Sequence, residues 1–229
     1  MWLNLCCERL LNVELLTPGL ILVNDIYDFK SDMILYKKGT VLTEDKINRL
    51  KQFGNIAILV EMNQDSQILE KNEVATIDVL CTRFINADIE EKELLHKEDL
   101  DLFPLMGNSK RFGKLEVLKY VNIFDPEQEK QFAAITIALP DDILVVAYRG
   151  TDNTLIGWKE DFNMSFKSHL PAQQEAVSYL NEIASIYQNK KIILCGHSKG
   201  GNLAMYSVIF CMDSVKPRII KAYNNDGPG

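Results

Sequence analysis

The sequence predicts an α/β protein in which a small β-rich module precedes a larger domain built on a parallel sheet. Three observations carry this expectation. An apolar strand pattern at Ile192-Ile193-Leu194-Cys195 runs through a glycine-rich turn into a helical pattern from about Gly200 to Met212. A further strand pattern follows from Arg218 to Tyr223, completing a βαβ unit. Short β-favouring runs punctuated by turn signals fill the first part of the chain. Finally, of 229 residues 47% are apolar and 25% charged, enough to bury a core and unlike a disordered, collagenous or coiled-coil chain.

Taken in order, Leu20-Ile21-Leu22-Val23 follows the turn Thr17-Pro18-Gly19, and Met33-Ile34-Leu35-Tyr36 follows the polar stretch 28–32, so two short strands joined by a turn are expected. Thr43 is placed to cap a helix with apolar residues Ile47, Leu50 and Phe53, which Gly54 would stop. Residues 56–60 form another strand pattern, and the polar run from Glu61 to Glu73 suggests a linker. These boundaries give a module over 1–62, a linker over 63–76 and a main domain over 77–229.

Residues 77–102 are acidic and helical in pattern, with 88–93 expected as a solvated helix face. Phe132 to Leu139 and Ile143 to Tyr148, separated by Pro140-Asp141-Asp142, predict a β-hairpin. Pro171 opens a helix whose residues Ala172, Ala176, Val177, Leu180, Ile183, Ala184 and Tyr187 share a face.

Charge and cysteine usage narrow the partners. Lys plus Arg number 25 against 32 Asp plus Glu, a formal charge of −7, so the chain is poorly suited to holding a nucleic-acid backbone. Five cysteines, at 6, 7, 81, 195 and 211, form an odd set without C-x-x-C spacing, which argues against a disulfide framework or a zinc site. No metal or organic cofactor is implied. No apolar run reaches the roughly 18 residues of a membrane span, and the N-terminus lacks the basic start of a signal peptide. A reducing, cytoplasmic location is expected.

The chemistry centres on Gly196-His197-Ser198-Lys199-Gly200, a G-x-S-x-G pattern lying directly between a predicted strand and a predicted helix. At such a bend the backbone is strained, and glycines two before and two after the serine remove β-carbons that would clash. Ser198 would then stand exposed at a helix N-terminus, where the Lys199 backbone N–H can donate to a developing oxyanion. The plain alternative is a βα turn with an idle serine. Arg149-Gly150-Thr151-Asp152 follows the strand 143–148, where a second oxyanion donor would lie, and Thr151 offers an N–H and a hydroxyl. On pattern alone that segment is equally a strand-end turn.

Ala147-Tyr148-Arg149-Gly150-Thr151 together with the 196–200 motif resembles the class 3 lipases of the α/β-hydrolase superfamily. More narrowly, Ser109 to Phe112, Gln131 to Ala134, Arg149 to Asp152, Gly157 to Phe162, Gly196 to Asn202 and Asp226 to Gly229 resemble the Mbeg1-like family of bacterial proteins. The similarity runs from about Ile77 to the end. It implies a partial α/β-hydrolase fold, Ser198 as nucleophile, Thr151 and Lys199 around the oxyanion, and Trp158 and Asp161 bracing the loop from beneath. The N-terminal segment, through Leu16 to Gly19 and Lys38 to Thr43, is similar to the small domain that often precedes HD-GYP phosphodiesterase domains. That likeness implies a structural or protein-docking module.

The triad is not complete in the sequence. The order in α/β-hydrolases is serine, acid, histidine, and His96, His169 and His197 all precede Ser198. His197 should point away from the serine, and the Lys199 side chain should leave along the helix. Asp226, following the strand 218–223 at the carboxyl edge of the sheet, is the candidate acid, although Asp-Gly-Pro is also a common turn. Because Gly229 follows so soon after a strand, the hydrolase domain is expected to be C-terminally incomplete, with the histidine beyond it and activity impaired. The expected function is a lipase- or esterase-type serine hydrolase acting on carboxylic esters through an acyl-enzyme. The rival is a catalytically inactive interaction or signalling adaptor on the same fold.

Overall fold

The computed structural model describes residues 8–28, 33–54, 56–61, 73–86, 98–125, 128–151, 155–164, 166–167 and 169–228. The early residues form strands β1 (Glu8–Asn12), β2 (Ile21–Leu22), β3 (Ile26–Tyr27) and β4 (Ile34–Tyr36), helix α1 (Glu44–Lys51) and strand β5 (Ala57–Glu61). β5 lies between β1 and β2, antiparallel to both. Val13, Leu22, Leu42, Leu50 and Val60 close a small core of their own.

The expected pairing of this region needs correction. Strands do occur at 21–22 and 34–36, but they do not pair with each other. β4 pairs with β3, while β2 pairs with β5, which comes later in the chain. Two-residue strands carry too little pattern to choose a partner, and burial of Leu22 in the core chooses it instead. Helix α1 follows Thr43 as expected, with Ile47 and Leu50 buried and Gly54 at φ +84 just beyond its end. The proposed linker falls mostly on residues outside those described.

The larger part contains β6 (Ala75–Thr76), α2 (Ile77–Asn86), α3 (Asp99–Gly107), β7 (Glu116–Asp125), β8 (Lys130–Leu139) and β9 (Ile143–Tyr148). It continues with α4 (Leu155–Asn163), α5 (Pro171–Ile186), β10 (Lys191–His197), α6 (Lys199–Phe210) and β11 (Ile219–Asn225). Six strands form one mixed sheet in the order β11-β10-β9-β8-β7-β6. β9, β10 and β11 are parallel, and β8, β7 and β6 continue antiparallel. The protein is therefore α/β with a small N-terminal β module.

Alternation along β8 divides the core. Phe132 and Ala134 face a cluster with Leu144, Val146, Leu180, Ile183 and Leu194, packed by α5 and α6. Ile135 and Ile137 face the opposite side, toward Leu80, Phe84 and Phe103 of α2 and α3. The predicted hairpin is present, with Leu139 opposite Ile143 and positive φ at Asp141 and Asp142. The βαβ order also holds, since β10 and β11 pair in parallel on either side of α6 in sequence. No helix among the described residues is long and apolar enough to cross a membrane.

Candidate active site

The site is built where β10 ends. Ser198 has φ +54 and ψ −130, a conformation that side chains rarely adopt, and α6 begins at the next residue. Its N–H still bonds to Asn225 O at 2.9 Å, extending the β10–β11 pairing, while its carbonyl already accepts from Gly201 N–H at 2.8 Å. The chain thus changes from strand to helix within one residue.

The flanking glycines are required by space, as the motif implies. A β-carbon on Gly196 would lie 2.1 Å from the Gly200 carbonyl, and one on Gly200 would lie 2.2 Å from the Tyr148 carbonyl oxygen. Both obstacles are backbone and cannot swing aside. The elbow is therefore pressed against the end of β9. Gly150 belongs to the same contact: a β-carbon there would lie 2.9 Å from His197 O and 3.5 Å from Ser198 Cβ.

Thr151, one residue on, is half-buried, and its Oγ1 is shielded from solvent without a hydrogen-bond partner among the described residues. Ser198 is also half-buried. Lys199 is the first residue of α6, so its N–H lies at the positive end of that helix. The arrangement thus brings Ser198, the α6 N-terminus and the Gly150-Thr151 segment together at the carboxyl edge of the parallel strands.

Lys199 departs from expectation. Its side chain does not leave along the helix but is fully buried, with Nζ 2.6 Å from Gln131 O, 2.7 Å from Gln131 Oε1 and 2.9 Å from Glu160 Oε2. Glu160, not Trp158, braces this region: Trp158 is 58% exposed. Asp161 Oδ1 is buried without a hydrogen-bond partner among the described residues. Residues 157–162 lie on α4, a helix not expected from the sequence, which turns Glu160 inward and Trp158 outward.

Among the described residues, neither His169 nor His197 is hydrogen-bonded to Ser198. His96 lies outside the described residues. His169 is exposed, pairs through Nδ1 with the Tyr206 hydroxyl, and stands edge-on to the Tyr206 and Phe210 rings. His197 is exposed. Asp226 is exposed at φ +56 in the turn after β11, and that turn is held to α6 by Asn202 Nδ2 donating to Pro228 O. No hydrogen bond to Ser198 Oγ occurs among the described residues. Burial pushes the Cys195 thiol above its ordinary value, so the cysteine preceding the motif is not an activated nucleophile.

The Mbeg1-like family profile matches residues 106–229, more than half of the chain. A search of curated proteins finds no match. A solved fungal lipase, determined as an inhibitor complex, is similar at 17% identity and a TM-score of 0.33, over 42% of this chain and 40% of its own. The chain thus spans about 40% of the length of that lipase.

Proposed function

The chain belongs to the Mbeg1-like family, and from that premise we propose that it is a serine hydrolase of the lipase or esterase type, acting on carboxylic esters including acyl lipids. The observation that carries the reading is the backbone at Ser198, strained at φ +54 and pinned between β9 and α6 by glycines that tolerate no β-carbon. A turn that only connects a strand to a helix has no need of such strain.

In this reading Ser198 Oγ attacks the ester carbonyl carbon while a general-base histidine, which is neither His169 nor His197, takes its proton; with none placed beside Ser198 among the described residues, turnover by this chain is impaired. The tetrahedral oxyanion is held by the Lys199 N–H and by Thr151, whose unsatisfied hydroxyl supports that role. Collapse forms acyl-Ser198 as the protonated histidine hands its proton to the departing alcohol, and water then releases the acid. Asp226 serves as the orienting acid. Residues 1–62 form a protein-docking module, 63–76 a linker and 77–229 the hydrolase domain, in a cytoplasmic protein.

The inactive-adaptor reading is favoured by one observation, the lack of any hydrogen bond between Ser198 Oγ and a histidine among the described residues. One experiment decides between the two. A fluorophosphonate probe should label the wild-type chain at Ser198, and Ser198→Ala should abolish that label together with p-nitrophenyl butyrate hydrolysis. Folded wild-type protein that takes up no label even at high probe concentration and long exposure favours the adaptor, whereas slow labelling lost in Ser198→Ala supports the impaired hydrolase.

A further inference from the structure

A buried charge pair lies against the proposed oxyanion site, and the chemistry above gives it no task. The side chains of Lys199 and Glu160 are 0% and 1% exposed, with Nζ and Oε2 2.9 Å apart. The network around them is dense, with Gln131 Nε2 the buried atom that finds no hydrogen-bond partner among the described residues. Lys199 Nζ donates to Gln131 O, Gln131 Oε1 and Glu160 Oε2. Glu160 Oε2 also accepts the Gln131 N–H at 3.1 Å, and Oε1 accepts the Ala172 N–H at 3.0 Å.

Stability does not call for charges at this place. A buried ion pair recovers little beyond its own desolvation, and a well-packed neutral pair of similar volume often holds a fold as well. The location is more informative than the energy. Lys199 is the first residue of α6, and its N–H is one proposed oxyanion donor. Glu160 sits on α4, the first helix after Thr151, the other proposed donor. Gln131, near the start of β8, is the common seat of both charges. Lys199 at the start of α6 is thus tied to Glu160 on α4 and to Gln131 on β8, two residues from Ala133, whose carbonyl accepts the Arg149 N–H at the end of β9 that leads to Thr151.

We propose that Glu160 and the Lys199 side chain form a positioning pair that sets the gap between the two oxyanion donors. Neither side chain touches the substrate, and both act through the backbone they hold. The proposal rests on the serine-hydrolase reading above. Oxyanion geometry matters only as charge develops on the substrate oxygen, so a loosened gap lowers kcat and kcat/KM together and leaves KM nearly unchanged.

The test neutralises both charges at once, so that neither is left buried alone. Lys199→Met combined with Glu160→Gln is expected to keep the wild-type circular dichroism spectrum. It should slow Ser198 phosphonylation by about 10-fold to 100-fold, the scale of a small misplacement at a reacting centre. On p-nitrophenyl butyrate the loss should fall in kcat, with KM within a factor of two. Gln131→Met, which leaves both charges in place and removes one acceptor, provides a milder version and should lower kcat by about 3-fold. A folded double variant with the wild-type rate overturns the proposal. If the double variant does not fold, an unchanged rate in Gln131→Met overturns it instead. Wild-type protein that never labels is a distinct result: it removes the hydrolase reading itself, and the pair's role falls with it.

Discussion

A glycine two residues after a serine can be a coincidence of composition or a demand of space, and at Gly200 it is the second. A β-carbon there would meet the Tyr148 carbonyl oxygen at 2.2 Å and its carbon at 2.9 Å. Gly200→Ala must therefore separate α6 from the end of β9, and should destabilise the protein by about 3 kcal/mol or more, the range of severe core overpacking. Urea denaturation measures this, and a loss under about 1 kcal/mol would mean the elbow is looser than the contacts imply. The motif made this glycine legible in the sequence. The neighbouring Lys199 was legible only as a backbone donor. Where its side chain goes depends on Gln131 and Glu160, which lie 68 and 39 residues away along the chain.

Among the elements, α5 shows how a helix legible in sequence is finished by distant groups. Its periodic apolar face is buried as the spacing predicts, and Pro171 sits in its first turn. Its start is held by Gln173 Oε1 accepting the Leu170 N–H and by Glu160 accepting the Ala172 N–H. Its end is capped from β11's approach, where the Arg218 guanidinium donates to Ala184 O at 2.8 Å, to Tyr187 O and to Lys190 O at 2.9 Å. Arg218→Ala leaves these carbonyls without a cationic donor and should cost about 2 kcal/mol, the scale of hydrogen bonds to a charged group. Chemical denaturation checks the figure, and Arg218→Lys should recover only part of it because an ammonium cannot span the three acceptors. Strand β7 is the longest of several elements, with β1, β3, β6 and α4, that are not expected from the sequence, although residues 116–125 are rich in β-branched and aromatic side chains. Its apolar residues fall in adjacent pairs rather than strict alternation, because the strand contributes to both core clusters, so the period-2 signal is weak.

At the scale of the whole molecule, the apolar interior is divided. One cluster is drawn entirely from residues 11–60, while the two clusters flanking the six-stranded sheet are drawn from residues 75–222. Cores that share no buried side chains can fold separately. A chain beginning at residue 73 should therefore retain a cooperative thermal transition within a few degrees of the full chain's main transition, and the same rate of Ser198 labelling. A large loss of either would show that the N-terminal module is part of the hydrolase unit and not a separate docking piece.

Local pattern alone determined the α/β class, the hairpin, the helix α5 and the strand–serine–helix elbow, because each is specified by contiguous residues whose spacing or turn chemistry admits few other conformations. Tertiary structure alone decided which short strands pair near the N-terminus, which residue of α4 turns inward, and where the Lys199 ammonium is buried. Those outcomes depend on desolvation and on acceptors supplied from far along the chain, and no window of neighbouring residues contains that information.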